Sequence, residues 1–350
     1  MTIRFNELAT LSLITILFNP FNCMAVEKLT MLTWAEYIDP SIVAEFEKEN
    51  NAEIIFEYFD STEDLAKRLV KAGNNLHDVV VIDGSDINHY INLGWLEPLS
   101  EQEISNIAYL DKQLISLFGN PNPYSVPYFW GTLGIAYRKD LMTTPPTSWL
   151  DLFRPSEEIG KRVGMIDDGR DLFGMGLKAL GHSANSTDFK AILETEDLIL
   201  SQVNNVHTYR YSLLNEEAAI VKGDVALSIL YNGDALTLQQ YEPNIEFFIP
   251  PEGGNLWVDY LTVLSGAPNK TLAKKFINFL NEPEIAARNA EYLYFATPNK
   301  EALKHTSNEY KSNDIIFPDN NVLKSSETYK DLPPRILRKI NNITSALPEV

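Results

Sequence analysis

Strand and helix signals alternate along nearly the whole chain, and no long linker interrupts them. This alternation constrains the fold more than any other feature, because it selects an α/β architecture. Residues 29–33 form a short apolar strand. Asp39-Pro40 opens a helix, with Asp39 as N-cap and Pro40 at the first helical position; Ile42, Val43 and Phe46 give it an apolar face. Residues 53–59 alternate with period two. Ser61-Thr62-Glu63-Asp64 resembles a capping box with Asp in the usual Glu place, and its helix runs through Leu65 and Leu69 to Gly73. Residues 78–82 are an apolar, largely β-branched run, typical of a strand buried on both faces. Beyond a Pro-rich loop at 120–124, strands are expected at 128–137, 162–166, 225–230, 245–249 and 256–264, and helices at 172–180, 188–200, 272–280 and 283–293. The chain has 350 residues, and ~100–200 per domain suggests two domains. Without a linker, those domains should be built from interleaved segments.

Residues 1–25 read as a secretory signal peptide. Arg4 forms the n-region, residues 8–18 the apolar core, and Cys23-Met24-Ala25 places small residues at −3 and −1 of a cleavage site. The apolar run is too short to span a bilayer. Cleavage leaves 350 − 25 = 325 residues and removes Cys23, the one cysteine. A lipid on Cys23 is the alternative fate of this segment, with Pro20, Phe21 and Asn22 a poor context for it. Lys+Arg number 29 and Asp+Glu 48, so the net charge is 29 − 48 = −19; Arg4 and Glu7 cancel, and the processed chain keeps it. A surface this acidic argues against nucleic acid and anionic membranes as partners, and favours a cationic ligand.

The sequence lacks the common catalytic patterns. There is no Gly-x-Gly-x-x-Gly after a strand, no Walker-type loop, no His-Glu-x-x-His and no Gly-x-Ser-x-Gly. The five histidines, at 77, 89, 182, 207 and 305, have no ligand spacing. Neither a catalytic residue nor a metal or other cofactor is expected.

Four clusters combine carboxylates with aromatics. Trp34-Ala35-Glu36-Tyr37 follows the first strand, where open α/β sheets bind ligands. Asp167-Asp168-Gly169-Arg170-Asp171 precedes a helix; Asp168 and Asp171 either present two carboxylates near its start or cap it. Tyr231-Asn232-Gly233-Asp234 ends a buried strand and reads as a Gly turn into a helix. In Trp257-Val258-Asp259 the first and third residues share one face of an apolar strand. A buried acid there must be paired, with a protein Lys or Arg or with the ligand. Indole, phenol and carboxylate groups after several strands suit an organic cation, held by charge-assisted hydrogen bonds of roughly 1.5–3 kcal/mol and cation–π contacts of roughly 0.5–2 kcal/mol.

Eight segments in order then carry a likeness: Trp34-Ala35-Glu36-Tyr37-Ile38, His77-Asp78-Val79-Val80-Val81, Tyr124-Ser125-Val126-Pro127-Tyr128-Phe129-Trp130-Gly131, Thr147-Ser148-Trp149-Leu150-Asp151-Leu152, Asp167-Asp168-Gly169-Arg170-Asp171, Pro251-Glu252-Gly253-Gly254, Trp257-Val258-Asp259 and Ala296-Thr297-Pro298-Asn299. Across essentially the whole processed chain, the sequence resembles the periplasmic spermidine/putrescine-binding proteins of polyamine ABC transporters. The resemblance implies a type II periplasmic binding protein fold: two α/β lobes joined by crossing segments, with a ligand cleft between them. The expected lobes are 26–130 with 259–303, and 131–258 with 304–350. It also implies a non-enzymatic, monomeric, periplasmic protein that captures spermidine or putrescine and delivers it to inner-membrane ABC permease subunits.

The likeness carries over residue by residue. Trp34 and Tyr37 match cleft-lining positions, as do Asp168, Trp257 and Asp259, with Asp259 the principal ammonium anchor. Asp171 stands where the family has glutamate, and Tyr231 where it has tryptophan. Ser85 and Phe295 fall on family tyrosines, and Tyr329 on a glutamine. These changes leave open a second reading, in which the same fold binds another organic cation or serves as a sensor or surface protein. A secreted glycosidase using paired carboxylates is the remote third.

Overall fold

The computed structural model describes residues 25–117 and 122–348. The apolar run at 8–18, Cys23, and residues 120 and 121 of the Pro-rich loop lie outside the described residues. Nine strands form one continuous sheet: β1 (Glu27–Thr33), β2 (Ala52–Tyr58), β3 (Val79–Asp83), β4 (Ser125–Arg138), β5 (Val163–Gly164), β6 (Val206–Thr208), β7 (Leu227–Tyr231), β8 (Ile245–Phe248) and β9 (Leu256–Val263). Their order is β2-β1-β3-β9-β4-β7-β5-β6, with β8 also pairing β4. β1 runs parallel to β2 and β3, whereas β9 is antiparallel to both β3 and β4.

The local signals explain these elements. Asp39 accepts the N–H of Ser41 and caps the helix Pro40–Asn50, which buries Ile42 and Phe46. Ser61 accepts the N–H of Asp64 to start Thr62–Ala72, and Gly73 ends that helix at φ 73°. Two expectations change. The strand expected at 162–166 keeps only two ladder residues, because its register against β6 slips between Val163 and Gly164. Gly233 is not a turn: β7 passes directly into the helix Asn232–Gln239. A Cβ there would lie 2.4 Å from the Phe295 ring, so the glycine is required by close packing.

β4 is the structural key. Its first half, Ser125 to Thr132, pairs with β9, and its second half, Leu133 to Arg138, pairs with β7 and β8. The hydrophobic core divides at the same place. Val126, Phe129 and Trp130 pack with Leu29, Ile82, Leu261 and Phe276. Leu133 and Ile135 pack instead with Trp149, Phe173, Ile199 and Leu227. A smaller cluster around Ala136 and Leu230 covers the other face of the second half. The chain crosses between the cores at three adjacent places. Gly131 pairs Trp257 and Thr132 pairs Leu256, while Glu327 bridges Asn255 and accepts the Leu256 N–H. Tyr310 and Ile316 pack on the first core, although the expected division gives 304–350 to the second lobe.

Asp78 shows how a buried acid can be purely structural. It is 2% exposed. One oxygen accepts the Thr30 N–H at 2.8 Å and the other the Asn269 N–H at 2.6 Å, which ties β1 to the start of the helix Lys270–Leu280. Asp78→Ala strands two buried backbone donors at about 1–3 kcal/mol each. Urea unfolding should therefore move to a lower midpoint with an unchanged slope, by about 2–6 kcal/mol in all; a midpoint equal to wild type refutes the role.

Candidate ligand-binding cleft

The cleft lies where the crossing segments meet, and a narrow cavity there is lined by Asp83, Ser85, Asn255, Trp257 and Tyr329. Trp257 and Asp259 enter it from β9, two residues apart on one face. Trp257 sits opposite Gly131. A Cβ on Gly131 would lie 2.6 Å from the indole Cζ2 and 2.3 Å from the Asn232 Oδ1, so only glycine lets the ring lie flat against β4. Phe295 meets the indole edge-on at 5.0 Å, and Tyr231 does so at 6.0 Å.

Asp259 is 6% exposed. The Tyr37 hydroxyl donates to its Oδ2 at 2.8 Å. Tyr37 is itself held in place: its carbonyl accepts the Tyr128 hydroxyl, and its ring lies against Tyr128, Phe129 and Phe295. Trp34, whose ring packs tilted against Phe59 at 4.3 Å, donates its indole N–H to the same carboxylate. Directly across the β3–β9 ladder from Asp259 is Asp83. Residues opposed in an antiparallel pair project to the same side with Cβ atoms about 4.5–5.5 Å apart. Asp83 accepts the backbone N–H and the hydroxyl of Ser85 on one oxygen, at 2.8 and 2.5 Å. Among the described residues neither acid forms an ion pair, and Arg170 reaches Asp83 only as a more distant charge.

The second core supplies the other half. Asp168 caps the helix Gly169–Ala179, accepting the N–H groups of Arg170 and Asp171. Asp171 is 2% exposed and takes three protein donors: the hydroxyls of Tyr231 at 2.5 Å and Tyr329 at 2.8 Å, and the Asn255 amide at 3.2 Å. The two carboxylates are therefore not presented alike; Asp168 is occupied with the helix end and Asp171 with tyrosines. The Arg170 guanidinium lies 4.2 Å over the Tyr329 ring and donates to Ala184 and Asn185, pairing with neither acid. All ten expected positions thus converge on one region.

Three contributors were missed. Asp83 ends an apolar strand just as Asp259 interrupts one, and that signal was readable. Asp234, in the first turn of its helix, is bonded to the Tyr211 hydroxyl. Asn255 is buried with its Oδ1 unpartnered, which no sequence pattern announces. Among the described residues no three His, Cys, Asp or Glu side chains are placed to hold a metal ion, and no helix is long and apolar enough to cross a membrane.

Two α/β bodies that exchange three crossing segments, with charged and aromatic groups gathered at the exchange, make a receptor that captures a small solute. The fold is that of the type II periplasmic solute-binding proteins. The chain belongs to the bacterial extracellular solute-binding protein family, whose sequence profile matches residues 41–318. It is 30% identical over 306 residues to the spermidine/putrescine-binding periplasmic protein of Escherichia coli, covering 87% of each chain. It is 29% identical over 345 residues to the putrescine/cadaverine-binding protein of Pseudomonas aeruginosa, covering 94% of this chain and 96% of the other. The structure of the spermidine/putrescine ABC transporter substrate-binding protein of Streptococcus pneumoniae superposes with a TM-score of 0.79 at 28% identity, over 92% of this chain and 98% of that one.

Burial dominates the electrostatics of the cleft. Desolvation and the Asp83 charge push Asp259 up to about 7, and desolvation pushes Asp234 to about 6. Asp83 and Asp171 are raised for the same first reason. Between about pH 4 and 7 the folded protein therefore binds more protons than the unfolded chain, so its stability falls as pH rises. Surface carboxylates held low by lysine or arginine, such as Glu97 and Asp140, have the opposite sign, but their contribution is already complete above the ordinary carboxylate range. The thermal midpoint of protein stripped of bound solute should decline from pH 5 to 8, and Asp259→Asn should flatten that decline. A midpoint rising across this range contradicts the assignment.

Proposed function

We propose that this protein captures a polyamine, spermidine or putrescine, outside the cytoplasm and delivers it to the permease subunits of an ABC transporter. One observation carries the reading. Asp259 is buried among aromatic rings, hydrogen-bonded by the neutral Tyr37 phenol and Trp34 indole and opposed by a second acid, with no cation among the described residues to pair it. A buried unpaired carboxylate is costly, and an ammonium group from the ligand supplies the missing partner. Trp34, Trp257 and Phe295 then cover the methylene chain, and Asp168, Asp171, Tyr231 and Tyr329 face its other end. The named ligands of the E. coli and P. aeruginosa relatives support the same chemistry.

The carboxylates hold charge and do not transfer protons to a substrate, so the protein acts as a carrier and not an enzyme. It works as a monomer, with residues 1–25 as the removed leader, and the lobes close over the ligand by a hinge at the crossing segments.

Titration calorimetry tests this on protein unfolded and refolded to strip carried-over solute. Spermidine, putrescine, spermine and cadaverine are compared with neutral controls. Micromolar or tighter binding is expected, about −8 kcal/mol. Asp259→Asn should weaken it by at least ~1.5 kcal/mol, the low end for a hydrogen bond to a charged group. An affinity unchanged in that variant would remove Asp259 as the anchor, and no binding to any polyamine by folded protein would remove the reading itself.

A further inference from the structure

Resting on the polyamine reading, we propose that Asp83 is a further ligand-binding residue: with Asp259 it forms a two-carboxylate pole that shares one proton when no cation is present and exchanges it for the ligand's ammonium group. The geometry that carries this is the ladder. Asp83 and Asp259 are directly opposed on β3 and β9. The two side chains therefore project to the same side of the sheet, and Asp83 lines the narrow cavity beside them. A buried and a half-buried carboxylate this close do not both ionise readily, so one retains a proton. A primary ammonium carries three donors and can reach both acids at once.

The remaining groups around the pair do not replace that cation. Tyr37 from the loop after β1 and Tyr128 from β4 are neutral phenols held protonated by burial. Tyr260, the next residue of β9, is likewise raised, with the Asp83 charge contributing. On the helix Gly169–Ala179, Asp171 adds a further negative charge, and Arg170 is committed to Ala184, Asn185 and the Tyr329 ring. Asp234, from the helix after β7, acts on Tyr37 as another acid. The pole is thus surplus negative charge on every side except that of Arg170. Ser85, whose hydroxyl and N–H hold one Asp83 oxygen, fixes the orientation of this carboxylate.

The exchange balances simply: R–NH3+ enters, the shared O–H proton leaves to buffer, and the pole becomes two carboxylates bridged by one ammonium. The amines of putrescine titrate like lysine, near ~10.4, so a proton released around neutral pH comes from the protein.

Calorimetric titration with putrescine in two buffers of different ionisation enthalpy, at pH 6 and pH 8.5, counts that proton. Wild type should release close to one proton per ligand at pH 6 and markedly less at pH 8.5. Asp83→Asn should abolish most of the release and weaken binding roughly tenfold or more. Asp83→Glu, which keeps the charge, should restore part of both. Binding by wild type without proton release, at an affinity that Asp83→Asn leaves unchanged, would overturn the two-carboxylate pole and leave the polyamine reading standing. Failure of folded wild type to bind putrescine, spermidine or cadaverine would overturn both.

Discussion

The pairing of β4 with β9 is the constraint on which the rest of the molecule depends. β4 serves two neighbourhoods, while β9 belongs to the first core. β4 leaves one core at Thr132 and enters the other at Leu133, and β9 brings the chain back beside it through Asn255 and Leu256. Because β4 itself runs across the boundary, paired with β9 on one side and with β7 and β8 on the other, the relation between the cores is set by backbone hydrogen bonds and not by a loose tether. The same pairing aims the ligand-facing groups. With the register fixed, alternation on β9 puts Trp257 and Asp259 on one side, and the absence of a side chain at Gly131 gives the indole its place.

Charge is the second organising term. Protein folding normally excludes unpaired acids from the interior, and elsewhere this chain obeys that rule. Asp78 spends both oxygens on backbone donors. Asp171 is surrounded by three donors. The Asp83–Asp259 pair is the exception, since two acids stand directly opposite one another with no cation among the described residues paired to either. A violation of a strong local rule is retained where function requires it, and here the violation defines the chemistry of the ligand more sharply than the ring composition does.

Much of this was legible because strand ends and helix caps leave local signatures. Asp39 and Ser61 each cap the helix their spacing suggests, and Asp168 takes the capping role that was one of its two readings. The shared-face argument for Trp257 and Asp259 needs only the period of a strand. Other features depend on contacts distant in sequence. Gly233 resembles a turn glycine until Phe295 is seen packed on it. Several segments of the family likeness are structural and have no part in the cleft. The Trp149 indole donates to the Gly253 carbonyl, and the Ser148 hydroxyl to Glu252, so Thr147–Leu152 and Pro251–Gly254 hold each other. The expected division places Leu332, Ile336, Ile340 and Ile343 on the second core, where they pack, but with no linker and no composition shift nothing local reveals that Tyr310 and Ile316 turn back to the first.

The two halves of the cleft are unequal, and that asymmetry bears on how a cation would be held. Asp171, on the second core, has its oxygens filled by Tyr231, Tyr329 and Asn255, with Arg170 adjacent; the unsatisfied charge is concentrated on the first core. Yet Asp83 still raises the proton affinity of Asp171 across the boundary, so like charges on the two bodies oppose one another when they approach. A cation between them removes that repulsion only in the closed arrangement, which gives it the differential affinity that any ligand needs to shift a two-state equilibrium. Neutral solutes of the same shape lack that term. On the proposed reading, charge selectivity and closure would both follow from one arrangement of acids, and the aromatic walls would set the length and thickness of the chain that fits between them.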